Sequence, residues 1–171
     1  SLCDLNLTGW NLQIPLDEIA QQIKLGTNLC SLNLQSCSLQ FSLDEIAEQL
    51  IWATSLQVLN LGNNEICGDG CTNGIMVLSN AQLGASLRSL DLKGCKLQLS
   101  LDEIVEQLIW ATNLCELDLS DNKICGPVLK STVNNLLKNV TSLTSVCLQG
   151  CLKLVRDSFV HSLLVSKEDV H

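Results

Sequence analysis

Two stretches of the chain are nearly identical, and they decide its architecture. Residues Ser42–Gly68 read SLDEIAEQLIWATSLQVLNLGNNEICG, and residues Ser100–Gly126 read SLDEIVEQLIWATNLCELDLSDNKICG. Close internal repetition of this kind is the mark of a fold assembled from one structural unit used several times. The repetition therefore predicts stacked units that share one continuous core.

Six unit starts can be aligned over the whole 171-residue chain. They share the pattern L-x-x-L-x-L-x-x-(C/N)-x-L. The departures are Trp10 at the ninth position, Ile66 and Ile124 at the last leucine, and the sixth unit at Val146 and Leu152–Leu154. The starts are Leu2, Leu29, Leu56, Leu87, Leu114 and Leu143. We expect one domain over residues 1–171, with units at 1–28, 29–55, 56–86, 87–113, 114–142 and 143–171, the last ending in a cap-like helix.

Each unit is expected to contain a short strand followed by a helix. In the L-x-L piece, Leu5 and Leu7 fall on one face, because side chains alternate along a strand. Helical spacing follows, and one stripe collects Leu43, Ile46, Ala47 and Leu50. Ser42 and Glu45 match a capping box at the helix start, and the second copy repeats this pair.

The ninth position of the pattern alternates between two residue types. It reads Trp10, Cys37, Asn64, Cys95, Asn122 and Cys151. The chain leaves its strand here, and a buried Asn can satisfy both N–H and C=O groups, whereas a Cys thiol is a smaller and weaker substitute. The duplicated segment is therefore a two-unit module, Cys-type then Asn-type, copied from residues 29–86 into 87–142. Trp10 departs from this, either as a modified end cap or as a residue that abutted further repeats.

The unit length and the Cys/Asn alternation resemble the ribonuclease-inhibitor-like subclass of leucine-rich repeat proteins, found also in NOD-like receptors. This resemblance implies an α/β solenoid curved as a horseshoe, with a parallel β-sheet on the concave side and α-helices on the convex side. It also implies a non-catalytic protein–protein interaction module, which acts as an inhibitor, a scaffold or the sensing domain of an innate immune receptor. A GTPase-activating protein of the Ran type and an artificial or recombined repeat scaffold stay open as alternatives.

The ten cysteines follow the repeat rather than a disulfide framework. Cys37, Cys95 and Cys151 occur in every second unit, roughly 10 Å apart by strand spacing, which is too far for a disulfide bond. Cys3 and Cys30 have the best geometry, as the same position of neighbouring units. Thiols kept reduced predict a cytoplasmic protein, with the nucleus as the alternative.

Neither an enzyme nor a metal site is predicted. The CGDGC segment at Cys67–Cys71 lacks a second pair of zinc ligands, and we interpret its glycines as a turn. Carboxylate pairs such as Asp44–Glu45 recur at helix starts, where they compensate the helix dipole. We predict no catalytic residue and no cofactor, and neither Arg88 nor Arg156 is marked as a catalytic arginine.

The charge balance narrows the class of partner. A net charge of −8 argues against nucleic acid and acidic membranes, and favours a basic protein. No apolar run is long enough to cross a membrane. On the concave face, the candidate partner-binding residues are Asn33, Gln35, Asn60, Asp91, Lys93, Glu116 and Asp118.

A second candidate surface is an apolar edge at the ends of two helices. It consists of Ile51, Trp52, Ile109 and Trp110. On a helical wheel Trp52 lies opposite the core stripe, and exposed apolar patches often mark interfaces. Either this edge or the uncapped first unit would support a homodimer, whereas side chains that fold back over the neighbouring core would not.

Replacing Trp52 and Trp110 together with lysine tests the apolar edge. If the two indoles contact a second copy, the double variant loses self-association, because two charges cannot be buried in that contact without partners. The molar mass from light scattering measures this outcome. An unchanged mass would argue against dimerisation through this edge.

Overall fold

A strand opens each of the six units. The computed structural model describes residues 3–12, 28–50, 53–66, 83–108, 111–125, 130–151 and 164–166, together with residues 18, 21, 75 and 78. Its elements in chain order are β1 (Asp4–Asn6), β2 (Ser31–Asn33), α1 (Leu43–Leu50), β3 (Val58–Asn60), β4 (Ser89–Asp91), α2 (Leu101–Leu108), β5 (Glu116–Asp118), α3 (Lys130–Asn139), β6 (Ser145–Cys147) and β7 (Leu164–Ser166).

The strands form one sheet in chain order. Strands β1 to β6 are parallel, and each pairs in register with the next. This register aligns the central residue of every strand, namely Leu5, Leu32, Leu59, Leu90, Leu117 and Val146. A parallel sheet connected by helices is the predicted α/β solenoid. Its curvature as a horseshoe, and the side on which the helices lie, stay predictions.

One hydrophobic core runs through all the stacked units. It joins the inward leucines of the strands to the apolar stripes of the helices. The predicted stripe of α1 is confirmed, since Leu43, Ile46, Ala47 and Leu50 are its buried residues. Leu5 and Leu7 are only half-buried, because β1 has a neighbouring strand on one side alone among the residues described. Fully burying one leucine stabilises the fold by about 2 kcal/mol, so the stack gains from every added unit.

Capping boxes begin both α1 and α2, as predicted. The Ser42 N–H donates to Glu45 Oε2 at 2.8 Å, and the Glu45 N–H donates to Ser42 Oγ at 3.2 Å. Ser100 and Glu103 make the same two bonds at 2.7 and 3.2 Å. These bonds satisfy N–H groups that have no acceptor inside the helix, and so fix where each helix starts.

Buried asparagines tie neighbouring units together. Asn64 Nδ2 donates to the Leu34 carbonyl of the preceding unit at 2.8 Å and to the Leu61 carbonyl of its own unit at 2.8 Å. Its Oδ1 accepts from the N–H groups of Cys37 at 3.0 Å and Leu39 at 3.2 Å, both in the preceding unit. One amide side chain thus satisfies two N–H groups of the preceding unit and carbonyl groups on both sides of the junction, the two kinds of backbone group that the sequence predicted.

The ninth-position cysteines also bond to the backbone of the preceding unit, through a thiol in place of an amide. Their thiols donate to the strand-end carbonyl of the preceding unit: Cys37 to Leu7 at 2.9 Å, Cys95 to Leu61 at 3.2 Å and Cys151 to Leu119 at 2.8 Å. Asn122 reaches the Leu92 carbonyl at 2.7 Å. From the second unit onward, every junction in the described part therefore has a ninth-position donor on the same backbone oxygen. We call this series of bonds the ladder.

The alternation of Cys and Asn has a backbone cause that the sequence did not reveal. In the second and fourth units, which are of the Cys type, the residue after the cysteine is left-handed, with φ of 55° at Ser38 and 61° at Lys96. A left-handed residue between Cys37 and Leu39 turns both of their N–H groups toward one point, forming a nest. The Oδ1 atom of Asn64 occupies that point. An Asn-type unit therefore fits best after a Cys-type unit, so the two are copied together.

Three residues form a strand where the sequence predicted a cap-like helix. Leu164–Ser166 form β7, which pairs antiparallel with β6. The rest of the predicted helix lies outside the described residues. Hydrogen bonding to the β6 edge covers backbone groups that a helix would leave unpaired, which is the physical advantage of a strand at this position.

Replacing Asn64 with alanine tests the ladder. The variant leaves the N–H groups of Cys37 and Leu39 and the Leu34 carbonyl without their partner. We expect its free energy of unfolding to fall by about 3 kcal/mol or more. Cys37→Ala, which removes a single thiol donor, should cost about 1 kcal/mol. Urea unfolding measures both values. Equal losses in the two variants would contradict the central role given to the asparagine.

Acid should weaken both capping boxes. Hydrogen bonds from the backbone N–H and the hydroxyl of Ser42 and Ser100 hold the pKa of Glu45 and Glu103 below the usual 4.5. A pKa lowered by folding stabilises the fold above the unfolded value, and this contribution disappears as pH falls through the folded value. We therefore expect the stability difference between the parent and a Glu45→Gln, Glu103→Gln variant to be largest above pH 4.5 and to shrink below it. Urea unfolding at a series of pH values measures it, and a pH-independent difference would contradict the assignment.

Candidate functional site

The sheet has one face covered by the core and one open face. We use open sheet face for the side chains that alternate with the core leucines. In the six units these are Asp4, Asn6 and Thr8; Ser31, Asn33 and Gln35; Val58, Asn60 and Gly62; Ser89, Asp91 and Lys93; Glu116, Asp118 and Ser120; and Ser145, Cys147 and Gln149. All seven residues that the sequence proposed for a concave binding face lie here, at regular spacing along the sheet.

The middle row of this face has a structural role that sequence reasoning missed. In five units an Asn or Asp Oδ1 accepts the N–H of the residue two positions later, which forms an Asx turn at the strand end. The bonds run from Thr8 to Asn6 at 3.0 Å, from Gln35 to Asn33 at 3.0 Å, from Gly62 to Asn60 at 2.9 Å, from Lys93 to Asp91 at 2.9 Å and from Ser120 to Asp118 at 2.8 Å. The sequence signal for these turns was the Asn or Asp that recurs at the same position of five units.

Two carboxylates stand side by side in this row. Asp91 and Asp118 are register partners on the adjacent strands β4 and β5. Burial raises the pKa of the Asp91 carboxyl, and the negative charge of Asp118 raises it further, against the lowering effect of the Lys93 N–H. Negative charge is therefore held at Asp91 at an energetic cost, which a nearby cation would relieve.

The surroundings of this pair keep the potential negative. Glu116 lies on the same strand as Asp118 and is exposed. Lys93 is the single basic residue of the open sheet face, and its Nζ lies 3.4 Å from Asp121 Oδ2. Because this lysine already has an acidic partner, it compensates Asp91 only in part.

The neighbouring unit is smaller and less polar. Val58 is 40% exposed, which is unusual for a large aliphatic side chain in this chain. Gly62 lies in the same unit, and a Cβ atom there would be 3.2 Å from both Asn60 Oδ1 and Asp91 Oδ1. The glycine thus leaves room for two Asx oxygens to approach the backbone, and a shallow apolar area adjoins the acidic one.

Several sequence predictions fall outside the described residues. They include the apolar edge of Ile51, Trp52, Ile109 and Trp110, and the cysteines of the CGDGC segment. Trp10 is described, and its side chain is 62% exposed, whereas every other ninth-position residue is buried. An indole is too large for the slot that Cys or Asn fills at the other junctions.

Two concave regions lie away from the sheet face. One, of about 540 Å³, is a polar groove between α2 and α3, lined by Asp102, Ser131, Thr132, Asn134, Asn135 and Lys138. The other, of about 380 Å³, lies beside the turns of the last two units, lined by Gln98, Asp121, Asn122, Lys123, Ile124, Cys125, Gly150 and Cys151. Within the described ranges, no three His, Cys, Asp or Glu residues are grouped so as to hold a metal ion. No helix in this part of the chain is long and apolar enough to cross a bilayer.

Comparison with protein families agrees with the geometry. Residues 86–108 and 113–138 match the family model described as Leucine Rich Repeat. These two units are leucine-rich repeats. They contain β4, α2 and β5, and hence Asp91, Glu116 and Asp118. No curated protein matches the chain.

The other leucine-rich units follow the same plan in the described residues. They share the strand register and a left-handed residue directly before the ninth position, and from the second unit onward they also share the ladder. That left-handed position is occupied by Gly9, Ser36, Asn63, Gly94, Asp121 and Gly150. Leucine-rich repeats typically act as protein-interaction modules, and the site to consider is therefore a surface rather than a pocket.

Proposed function

We propose that the protein is a non-catalytic recognition module that binds a basic segment of a partner protein on its open sheet face. The observation that supports this most directly is where the two copies of the duplicated module differ. Their helices α1 and α2 differ at one position, Ala47 against Val105. Their sheet faces have diverged and have become charged.

Three replacements on the sheet face add a carboxylate, and one, Gln35 to Lys93, adds a positive charge. In the second copy, the amides of Asn33 and Asn60 are replaced by the carboxylates of Asp91 and Asp118. Val58 corresponds to Glu116 in the same comparison. The inward leucines of the strands and the ladder residues are unchanged, so the packing of the strands does not require these replacements. Binding of a charged partner on this face would account for the replacements.

Electrostatics then defines the partner. The raised pKa of Asp91 indicates that its charge is poorly compensated in the free protein. A lysine or arginine side chain placed between Asp91 and Asp118 would relieve this repulsion and gain charge-assisted hydrogen bonds. The exposed aliphatic side chain of Val58 offers an apolar contact beside it. A segment with basic residues next to an aliphatic one fits this surface.

The proposal extends to the repeat subclass, the shape and the cellular compartment of the protein. We infer that the units belong to the ribonuclease-inhibitor-like subclass, which the alternation of ladder residues supports. On this view the sheet face is the concave face of a horseshoe, and the thiol-rich core suits a cytoplasmic protein. A NOD-like receptor sensing domain and a free-standing inhibitor or scaffold are two forms of this proposal, and a homodimer through the apolar edge or the first unit is compatible with both.

Replacing Asp91 and Asp118 with asparagine tests the proposal. Asparagine fills the same slots in the first copy, where it makes the same Asx turns, so the fold should persist while the charge is lost. Removing both charges should weaken binding of a lysine-rich peptide by about tenfold or more and reduce its salt dependence. Fluorescence anisotropy with lysine-rich and glutamate-rich peptide pools measures this.

The matched control changes the same amount of charge elsewhere. Glu48 and Glu106 are exposed helix residues at equivalent positions of α1 and α2, and their replacement by glutamine leaves the sheet face intact. We expect this variant to bind the basic pool as the parent does. Equal binding by the sheet-face and helix variants, or binding of the acidic pool by the parent, would overturn the proposal.

A further inference from the structure

Two cysteines occupy the same place in neighbouring units at the β1 end of the sheet. Cys3 and Cys30 each come directly before a register pair, Asp4 and Ser31. The Cys3 carbonyl accepts the Cys30 N–H at 2.7 Å and the Ser31 N–H at 3.0 Å, so the two backbones are held in register. Adjacent strands lie about 4.8 Å apart, within the Cα separation of about 4.4–6.8 Å that a disulfide spans.

Their side chains are also in contact. Both residues are thiols in the structure; Cys3 is exposed and Cys30 is half-buried. A hydrogen bond with the Cys3 thiol raises the pKa of Cys30, and burial and the charge of Asp4 act in the same direction. The backbone register places the two thiols at equivalent positions of adjacent strands. Cys30 is the poorer nucleophile of the two for an outside reagent, because it is less exposed and stays protonated to higher pH.

A third cysteine at the same slot serves as an internal comparison. Cys115 contacts the carbonyl two residues earlier, at 3.3 Å from Asn113 O, as Cys30 does at 3.3 Å from Asn28 O. Its neighbours at this slot are Arg88 and Thr144, neither of which has a sulfur atom. In the described part of the chain, Cys3 and Cys30 are thus the one pair of cysteines that share a slot in adjacent units.

We propose that Cys3 and Cys30 are a reversible redox pair, which a small-molecule disulfide such as oxidised glutathione closes into a disulfide that links the first unit to the second. The Cys3 thiolate attacks one glutathione sulfur, the glutathione disulfide bond breaks, and one glutathione leaves as its thiolate. The Cys30 thiolate then attacks Cys3 Sγ and releases the second glutathione. Two protein thiols are oxidised, one glutathione disulfide is reduced to two thiols, and the two protons lost by the protein end on glutathione.

The consequence is local to strands β1 and β2. Strand β1 contributes only half-buried leucines to the core and has one neighbouring strand among the residues described. Such an edge is expected to open more easily than the centre of the sheet. A covalent link to β2 restricts this opening, and so holds Asp4 and Asn6 in place on the open sheet face.

Oxidised glutathione added to the folded, reduced chain tests the pair. Cleavage after Lys24 separates Cys3 from Cys30, so mass spectrometry without reduction detects a link between their peptides. We expect this linked form to predominate, with the loss of two hydrogens and without added glutathione. Cys115 in the same sample should carry glutathione as a mixed disulfide, because it has no second cysteine to displace it.

Single variants keep the proposal falsifiable. In Cys30→Ser, Cys3 should keep its glutathione and the linked peptide should disappear; Cys115→Ser should leave the link unchanged. Hydrogen exchange of the β1 amides should slow on oxidation of the parent chain and stay unchanged in Cys30→Ser. Glutathione retained on Cys3 in the parent, or a link that survives in Cys30→Ser, would overturn the proposal.

Discussion

A hydrogen bond from one side chain to the backbone of the preceding unit underlies the whole stack. At each strand end the chain must turn away from the sheet, and this leaves carbonyl and N–H groups inside the core. A buried polar group without a partner costs about 1–3 kcal/mol, so an unsatisfied turn in every unit would offset much of the gain from leucine burial. The ninth-position donors remove that cost, from Cys37 at one end to Cys151 at the other. They also set the distance and register between units.

The same bond explains why the chain repeats in pairs of units. An asparagine oxygen needs converging N–H groups, and the left-handed Ser38 supplies them in the unit before Asn64. A cysteine thiol donates to the same strand-end carbonyl, and the residues directly after Asn64 and Asn122 are not left-handed in the units that precede Cys95 and Cys151. Copying an Asn-type unit alone would place an asparagine after a unit that lacks this left-handed residue. When both units are copied, each asparagine again follows a unit whose N–H groups converge on its oxygen. The residues of the open sheet face take no part in this contact, so they can change.

The open sheet face combines structure and recognition in the same residues. One oxygen of Asp91 or Asp118 closes an Asx turn, which fixes the half-buried side chain on the open sheet face. A fixed carboxylate loses little conformational entropy on binding, and this favours it over a flexible one as a contact for a basic partner. The cysteines fall into a structural group and a chemically accessible group. Those of the ladder are buried donors, whereas Cys3 and Cys30 lie at the edge, where their chemistry is accessible.

The sequence by itself determined the repeating unit, its strand and helix, the core stripes and the capping boxes, because these depend on spacing within a few residues of one another. It also identified the ninth position as buried and polar, as at Asn64 and Asn122. Only the tertiary structure showed that Asn33, Asn60, Asp91 and Asp118 close Asx turns, that Ser38 and Lys96 are left-handed, and that Leu164–Ser166 form a strand. Each of these depends on where a neighbouring unit or turn places a hydrogen-bond partner. Spacing along one chain does not specify that placement until the units are stacked.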